Sequence, residues 1–183
     1  MRVAAMLAFG LGTLAFSPST PAQHRELGAH EHGRGTLNVA VEGKRISMEL
    51  EVPAADIVGF EHAARTRQQK AAVENAKQQL LAPLALFKLP STAGCTVGAA
   101  SVELESGGPD ATRKGGHEDA HSEFHAQYTF DCQTPASLTS IEFDYFRAFA
   151  SAQRLNVNVI TPKGQTKFEV SRSKPRIDLA GMM

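Results

Sequence analysis

The chain has 183 residues, with 19 Lys and Arg against 19 Asp and Glu, and so carries no net charge at pH 7. That balance argues against a nucleic-acid or anionic-membrane partner, which would favour a basic face. Two cysteines and seven histidines remain as the residues with distinctive chemistry.

The chain opens as an export signal. Met1-Arg2 is weakly basic, Val3 to Phe16 is apolar and uncharged, and Ser17 to Ala22 is small and helix-breaking. This is the order of a secretory signal peptide, with cleavage expected before Gln23. The apolar run of about 14 residues is short of the ~20 that cross a bilayer as a helix. No later segment is apolar enough to span a membrane. Residues 23–183 are expected to form one domain in an oxidising compartment. An even cysteine count there reads as a disulfide between Cys95 and Cys132, which would contribute roughly 4 kcal/mol in the chain-entropy model. With both sulfurs engaged, a metal site must use His, Asp and Glu.

Residues 23–35 are polar and Gly-rich and read as an extended lead-in. Thr36–Val41 and Ile46–Val52 alternate apolar and polar around a Gly43 turn, which predicts a β-hairpin. Ala54–Phe60 reads as an apolar connection. Glu61–Leu89 changes to a helical period, with Ala72, Ala76, Leu80 and Leu84 on one stripe. Pro83 is expected to separate a long helix from a short one. Cys95–Glu105 and Phe124–Cys132 read as the arms of a long hairpin pinned at its base by the disulfide. A flexible loop over residues 106–117 lies at its far end. Leu138–Phe143, Arg154–Thr161 and Thr166–Val170 complete the strands, with a bend or short helix over Asp144–Ala152. The sum is an α+β fold, mainly antiparallel β-sheet with one helical insertion and one disulfide.

The histidines are unevenly placed. His24, His30 and His32 precede the first strand, and His117, His121 and His125 precede or enter the Tyr128 strand. In extended chain, positions i and i+2 face the same side, so His30 and His32 can chelate one ion. In a strand, His121, Glu123 and His125 share the polar face. Imidazole and carboxylate donors suit zinc, and also copper or nickel. The bland alternative is a solvated tail and loop with incidental histidines, as in a structural or adaptor protein of the envelope. His117-Glu118-Asp119-Ala120-His121 also matches the H-E-x-x-H string of zinc proteases, with Glu142 as a distant third ligand. Such a motif needs a packed helix, and no apolar stripe is present to bury one, so a metallohydrolase is the less favoured reading.

Ala29-His30-Glu31-His32-Gly33 runs into Thr36-Leu37-Asn38-Val39-Ala40-Val41-Glu42-Gly43. Ile57-Val58-Gly59-Phe60-Glu61-His62-Ala63 follows, and then His121-Ser122-Glu123-Phe124-His125-Ala126-Gln127-Tyr128-Thr129-Phe130-Asp131-Cys132, with Cys95 as partner of Cys132. Together these segments resemble the ZrgA-like family of periplasmic zinc-uptake proteins over most of the chain beyond the leader. The resemblance implies a soluble, non-enzymatic zinc-binding protein of zinc acquisition, with a zinc ABC transporter or its binding protein as a partner. It carries His30, His32, His62 and His121 over as matches to the family's recurrent histidines. Glu61, Glu123, His117 and His125 stand as secondary candidates. The family's long His/Asp/Glu-rich loop is reduced here: Ser106–Gly116 has no histidine, which implies fewer weak zinc sites.

Overall fold

The computed structural model describes residues 33–106 and 121–183. The expected leader over residues 1–22, the segment with His24, His30 and His32, and most of the 106–117 loop with His117 lie outside the described residues.

The expected hairpin forms. Strand β1 (Arg34–Glu42) pairs antiparallel with β2 (Arg45–Pro53), Glu42 opposite Arg45. The two-residue turn uses Gly43 at φ +57, a conformation glycine adopts without steric cost. Leu37, Val39 and Val41 are buried with Ile46, Met48, Leu50 and Val52, as the alternation predicts. Two further strands extend this sheet on the β2 side. Strand β4 (Cys95–Ser106) pairs with β5 (Ser122–Cys132), and β5 pairs with β2. The Cys95–Cys132 disulfide joins residues opposite each other in that register.

On the other side the topology departs from a simple meander. Strand β7 (Arg154–Thr161) lies parallel to β1, and β8 (Gly164–Ser171) pairs antiparallel with β7. The large sheet therefore runs β4-β5-β2-β1-β7-β8, with one parallel pair among antiparallel ones. A smaller sheet of β3 (Phe87–Lys88), β6 (Ser140–Phe143) and β9 (Arg176–Asp178) adds a second layer.

The helical insertion is shorter and more divided than its period suggests. The Ala54–Phe60 connection contains helix α1 (Ala54–Val58), closed by Gly59 at φ +83. Helix α2 spans Arg67–Leu80 and starts at Thr66, not near Glu61. Thr66 accepts from the Gln69 amide while the Gln69 side chain accepts from the Thr66 amide, a capping box that satisfies two otherwise orphaned donors. Its buried positions are Val73, Ala76 and Leu80, so Val73 takes the place expected of Ala72. Pro83 opens α3 (Pro83–Leu86), as expected, and α4 (Tyr145–Ala148) fills the Asp144–Ala152 bend.

Helices, small sheet and large sheet share one core. Phe87 lies at its centre, with ring centroids 6.0 Å from Tyr128, 5.8 Å from Phe143 and 6.4 Å from Tyr145. The opposite face of the large sheet carries polar side chains, among them Asn38, Glu49, Glu51, Glu123, His125 and Gln127. Among the described residues no helix is long and apolar enough to cross a membrane.

Candidate metal centre

Strand register gathers three stretches of chain at one end of the large sheet. Strands β1 and β5 both begin there, and β2, which separates them, ends there with Pro53 opposite Glu123. At the usual strand spacing of 4.7–4.9 Å, the starts of β1 and β5 are about 10 Å apart. Helix α1 leaves β2 at this end, and its Gly59 terminus delivers Phe60, Glu61 and His62.

Glu61 crosses to the start of β5. Its backbone carbonyl accepts the Ser122 amide at 3.0 Å. Its carboxylate oxygen Oε2 contacts His121 Nδ1. The Glu61 side chain is 16% exposed and that of His121 is 51% exposed, so the carboxylate is sheltered and the imidazole reaches water. In a neutral ring, an Nδ1 proton directed to the carboxylate makes Nε2 of His121 the lone-pair nitrogen. Carboxylate–imidazole pairing of this kind fixes tautomer and ring orientation in metal sites.

His62 is oriented by a different route. Its Nδ1 donates to the Ala63 carbonyl at 3.0 Å, which again makes Nε2 the lone-pair nitrogen. The ring stacks on Phe60 with centroids 5.1 Å apart. Gln69, already held by the α2 capping box, brings its amide Nε2 to 3.5 Å from His62 Nε2. The local sequence Phe60-Glu61-His62 thus carries its own supports, one aromatic and one from the first turn of α2.

His125 goes elsewhere. It shares the polar sheet face with His121 by alternation, but its Nε2 lies 3.3 Å from Glu123 Oε2 and 3.7 Å from Glu105 Oε2. Glu105, on β4, was not among the residues expected from sequence. Of the eight candidates, the structure therefore joins Glu61 with His121, leaves His62 beside Glu61 in the chain, and pairs Glu123 with His125. His30, His32 and His117 lie outside the described residues. Among the described residues no three His, Cys, Asp or Glu side chains are grouped so as to hold a metal ion.

Of the protease-like string only His121 lies among the described residues. His121, its last residue, leads directly into β5. Glu142, the distant third ligand, accepts from Arg176 at 2.9 Å in the smaller sheet.

Sequence reasoning missed Asp56. It is a buried carboxylate on α1 whose Oδ1 accepts the Gly33 amide at 2.8 Å. The available signal was a lone acid inside the apolar Ala54–Phe60 run.

No curated protein matches the chain. The model of a family described as ZrgA family zinc uptake protein matches residues 29–179, nearly the whole sequence beyond the expected leader. The chain belongs to the ZrgA family of zinc uptake proteins.

Proposed function

We propose that this protein binds zinc in the periplasm, without catalysis, and contributes to zinc acquisition or buffering. The observation that carries the reading is the Glu61–His121 contact at the end of the sheet where β1 also starts. His62, next to Glu61 in the chain, and His121, in contact with the Glu61 carboxylate, each have Nδ1 engaged, which in the neutral ring makes Nε2 the lone-pair nitrogen. Neutral imidazole and carboxylate are zinc donors, and a tetrahedral site needs four ligands. His30 and His32 supply the remaining imidazoles. They are joined through Gly33 to the start of β1, and their i, i+2 spacing suits chelation.

On this reading Glu61 holds the His121 tautomer, and His30, His32, His62 and His121 converge on one ion. Export by the leader brings the protein to the periplasm, and a zinc ABC transporter or its binding protein receives the metal. Copper and nickel accept the same donors, so metal competition forms part of the test. Each imidazole must be deprotonated to bind, so binding weakens as the medium is acidified.

Calorimetry at neutral pH is expected to give about one tight zinc site per chain. The double variant His30→Ala, His32→Ala is expected to abolish it, and unchanged binding in that variant refutes the assignment. Zinc is also expected to raise the melting temperature, because a ligand that binds only the native state stabilises it. An adaptor with incidental histidines would melt independently of zinc.

A further inference from the structure

Strands β4 and β8 form the two edges of the large sheet. An edge presents unpaired N–H and C=O groups to any further strand unless something deters pairing. Strand β4 carries such deterrents. A bulge between Val97 and Ala99 interrupts its register, and Glu105 already faces Glu123 on β5, so this edge is kinked and acidic. Strand β8 pairs with β7 in unbroken register, and Gly164 to Lys167 are exposed along it.

Two hydrogen-bond patterns fix which groups of β8 point outward. The Arg172 amide donates to the Gln153 carbonyl, on the β7 side. Ser171 exchanges hydrogen bonds with Lys174 on the other side, at 3.0 and 3.4 Å. Backbone groups alternate along an antiparallel strand, so Gln165, Lys167 and Glu169 direct N–H and C=O away from β7. Among the described residues no strand pairs with that side.

The same turn limits what can pair there. A second copy of β8, antiparallel and with both core faces on one side, has only a few registers. Centred on Phe168, it would drive its Gln165 into the place of Lys174. Centred on Lys167, it would set that cation opposite itself. Centred on Thr166, each copy's Pro162–Lys163 turn stops before the other's Ser171. In this register Gln165 exchanges backbone hydrogen bonds with Lys167 of the second copy, and Lys163 comes opposite Glu169. Thr166 meets its own copy, and Phe168 opposes Gly164. A Cβ at Gly164 would meet nothing within 4 Å, which leaves room beside the half-buried Phe168. An aromatic beside an edge glycine is a favourable cross-strand pair. Glu169 also lies 3.8 Å from Arg154 of its own chain, so two cations would flank it.

We propose that the β8 edge is a self-association surface whose partner is a second copy of this chain, paired antiparallel about Thr166 so that Lys163 of each copy meets Glu169 of the other. One sheet then continues through both copies. This goes beyond the zinc reading and uses none of its residues, since β2, β1 and β7 separate β5 from β8. Pairing along one short strand is small against the ~1,600 Å² of a standard interface, so the dimer is expected to dissociate on dilution.

Sedimentation velocity of the metal-free protein over a dilution series is the measurement. A monomer–dimer equilibrium is expected, and a monomer up to the highest concentration that stays in solution overturns the proposal. Lys167→Pro removes an outward N–H without touching the β7 ladder, and is expected to abolish the dimer while circular dichroism stays that of the wild type. Glu169→Lys sets two cations opposite each other at both ends of the interface, and is expected to raise the dissociation constant by about tenfold or more. Adding Lys163→Glu to that variant reverses the pair and is expected to restore the dimer. A dimer unchanged by both single variants overturns the β8 edge as its surface. A dimer weakened by Glu169→Lys and not restored by the reversal overturns the register. If Lys167→Pro does not fold, the two charge variants decide alone.

Discussion

Glu61 and His121 are 60 residues apart in the chain, yet the carboxylate of one meets the imidazole of the other. Backbone pairing enforces the meeting, because the Ser122 amide donates to the Glu61 carbonyl next to the side-chain contact. The contact is thus built into the way the α1–α2 loop closes over the start of β5.

This contact separates two groups of variants. Glu61→Gln removes the carboxylate that orients His121 and is expected to weaken zinc binding by about 10–100-fold. His121→Ala removes a ligand and is expected to abolish the tight site. His125→Ala is expected to leave that site intact, because His125 faces Glu123 and Glu105. Chelator competition on the three variants is the measurement. Equal losses in His121→Ala and His125→Ala would mean that both histidines serve one centre.

The protein's two tyrosines, Tyr128 and Tyr145, are both buried, and burial raises the pKa of each hydroxyl. A folded pKa above the unfolded one stabilises the native state fully below the ordinary tyrosine value of about 10. That stabilisation is lost as pH rises beyond it. Stability is therefore expected to fall above about pH 10, with tyrosinate absorbance appearing together with unfolding. Absorbance that rises at the ordinary tyrosine pKa in a protein still folded by circular dichroism would contradict the burial.

The Tyr128 hydroxyl is buried with no hydrogen-bond partner among the described residues. An unsatisfied buried polar group costs about 1–3 kcal/mol. Tyr128→Phe is expected to raise the unfolding free energy from a urea titration by an amount within that range, and a destabilised variant would show that the hydroxyl has a partner in solution.

Gly35 sits where β1 passes between β2 and β7. A Cβ there would overlap Val52 Cγ1 and come within 3.0 Å of Glu51 O and Leu155 Cδ2. Gly35→Ala is expected to cost about 1–3 kcal/mol by overpacking, read as a lower unfolding midpoint.

Reduction of the Cys95–Cys132 disulfide opens the covalent ring that joins the start of β4 to the end of β5. The chain-entropy model gives a loss of roughly 4 kcal/mol. Cys95→Ser, Cys132→Ser is expected to reproduce it in a denaturant titration. Zinc affinity is expected to survive in the fraction that stays folded, since His121 lies at the opposite end of β5 from Cys132.

The local elements were legible because their signals are local. Alternation over consecutive residues marked β1, β2, β5 and β7, and Pro83 marked the helix break. The histidines and the Cys95–Cys132 pair could be singled out by residue type alone. The apolar Ala54–Phe60 run concealed α1, because a short apolar stretch has no decisive period. The start of α2 was misplaced because Glu61–Arg65 has a helix-like composition, while the capping box at Thr66 and Gln69 sets the true boundary.

The sequence by itself marked the strands of the large sheet and β6, the helical insertion, the disulfide pair and the histidine and carboxylate candidates, but not β3 or β9. Only the tertiary structure decided that β1 lies parallel to β7, that His121 meets Glu61 while His125 turns to Glu123 and Glu105, and that Asp56 holds Gly33. The reason is physical. A strand's period is written in adjacent residues, whereas the pairing of distant segments is chosen by burial and hydrogen bonding summed over the whole core, to which no single stretch of chain holds the key.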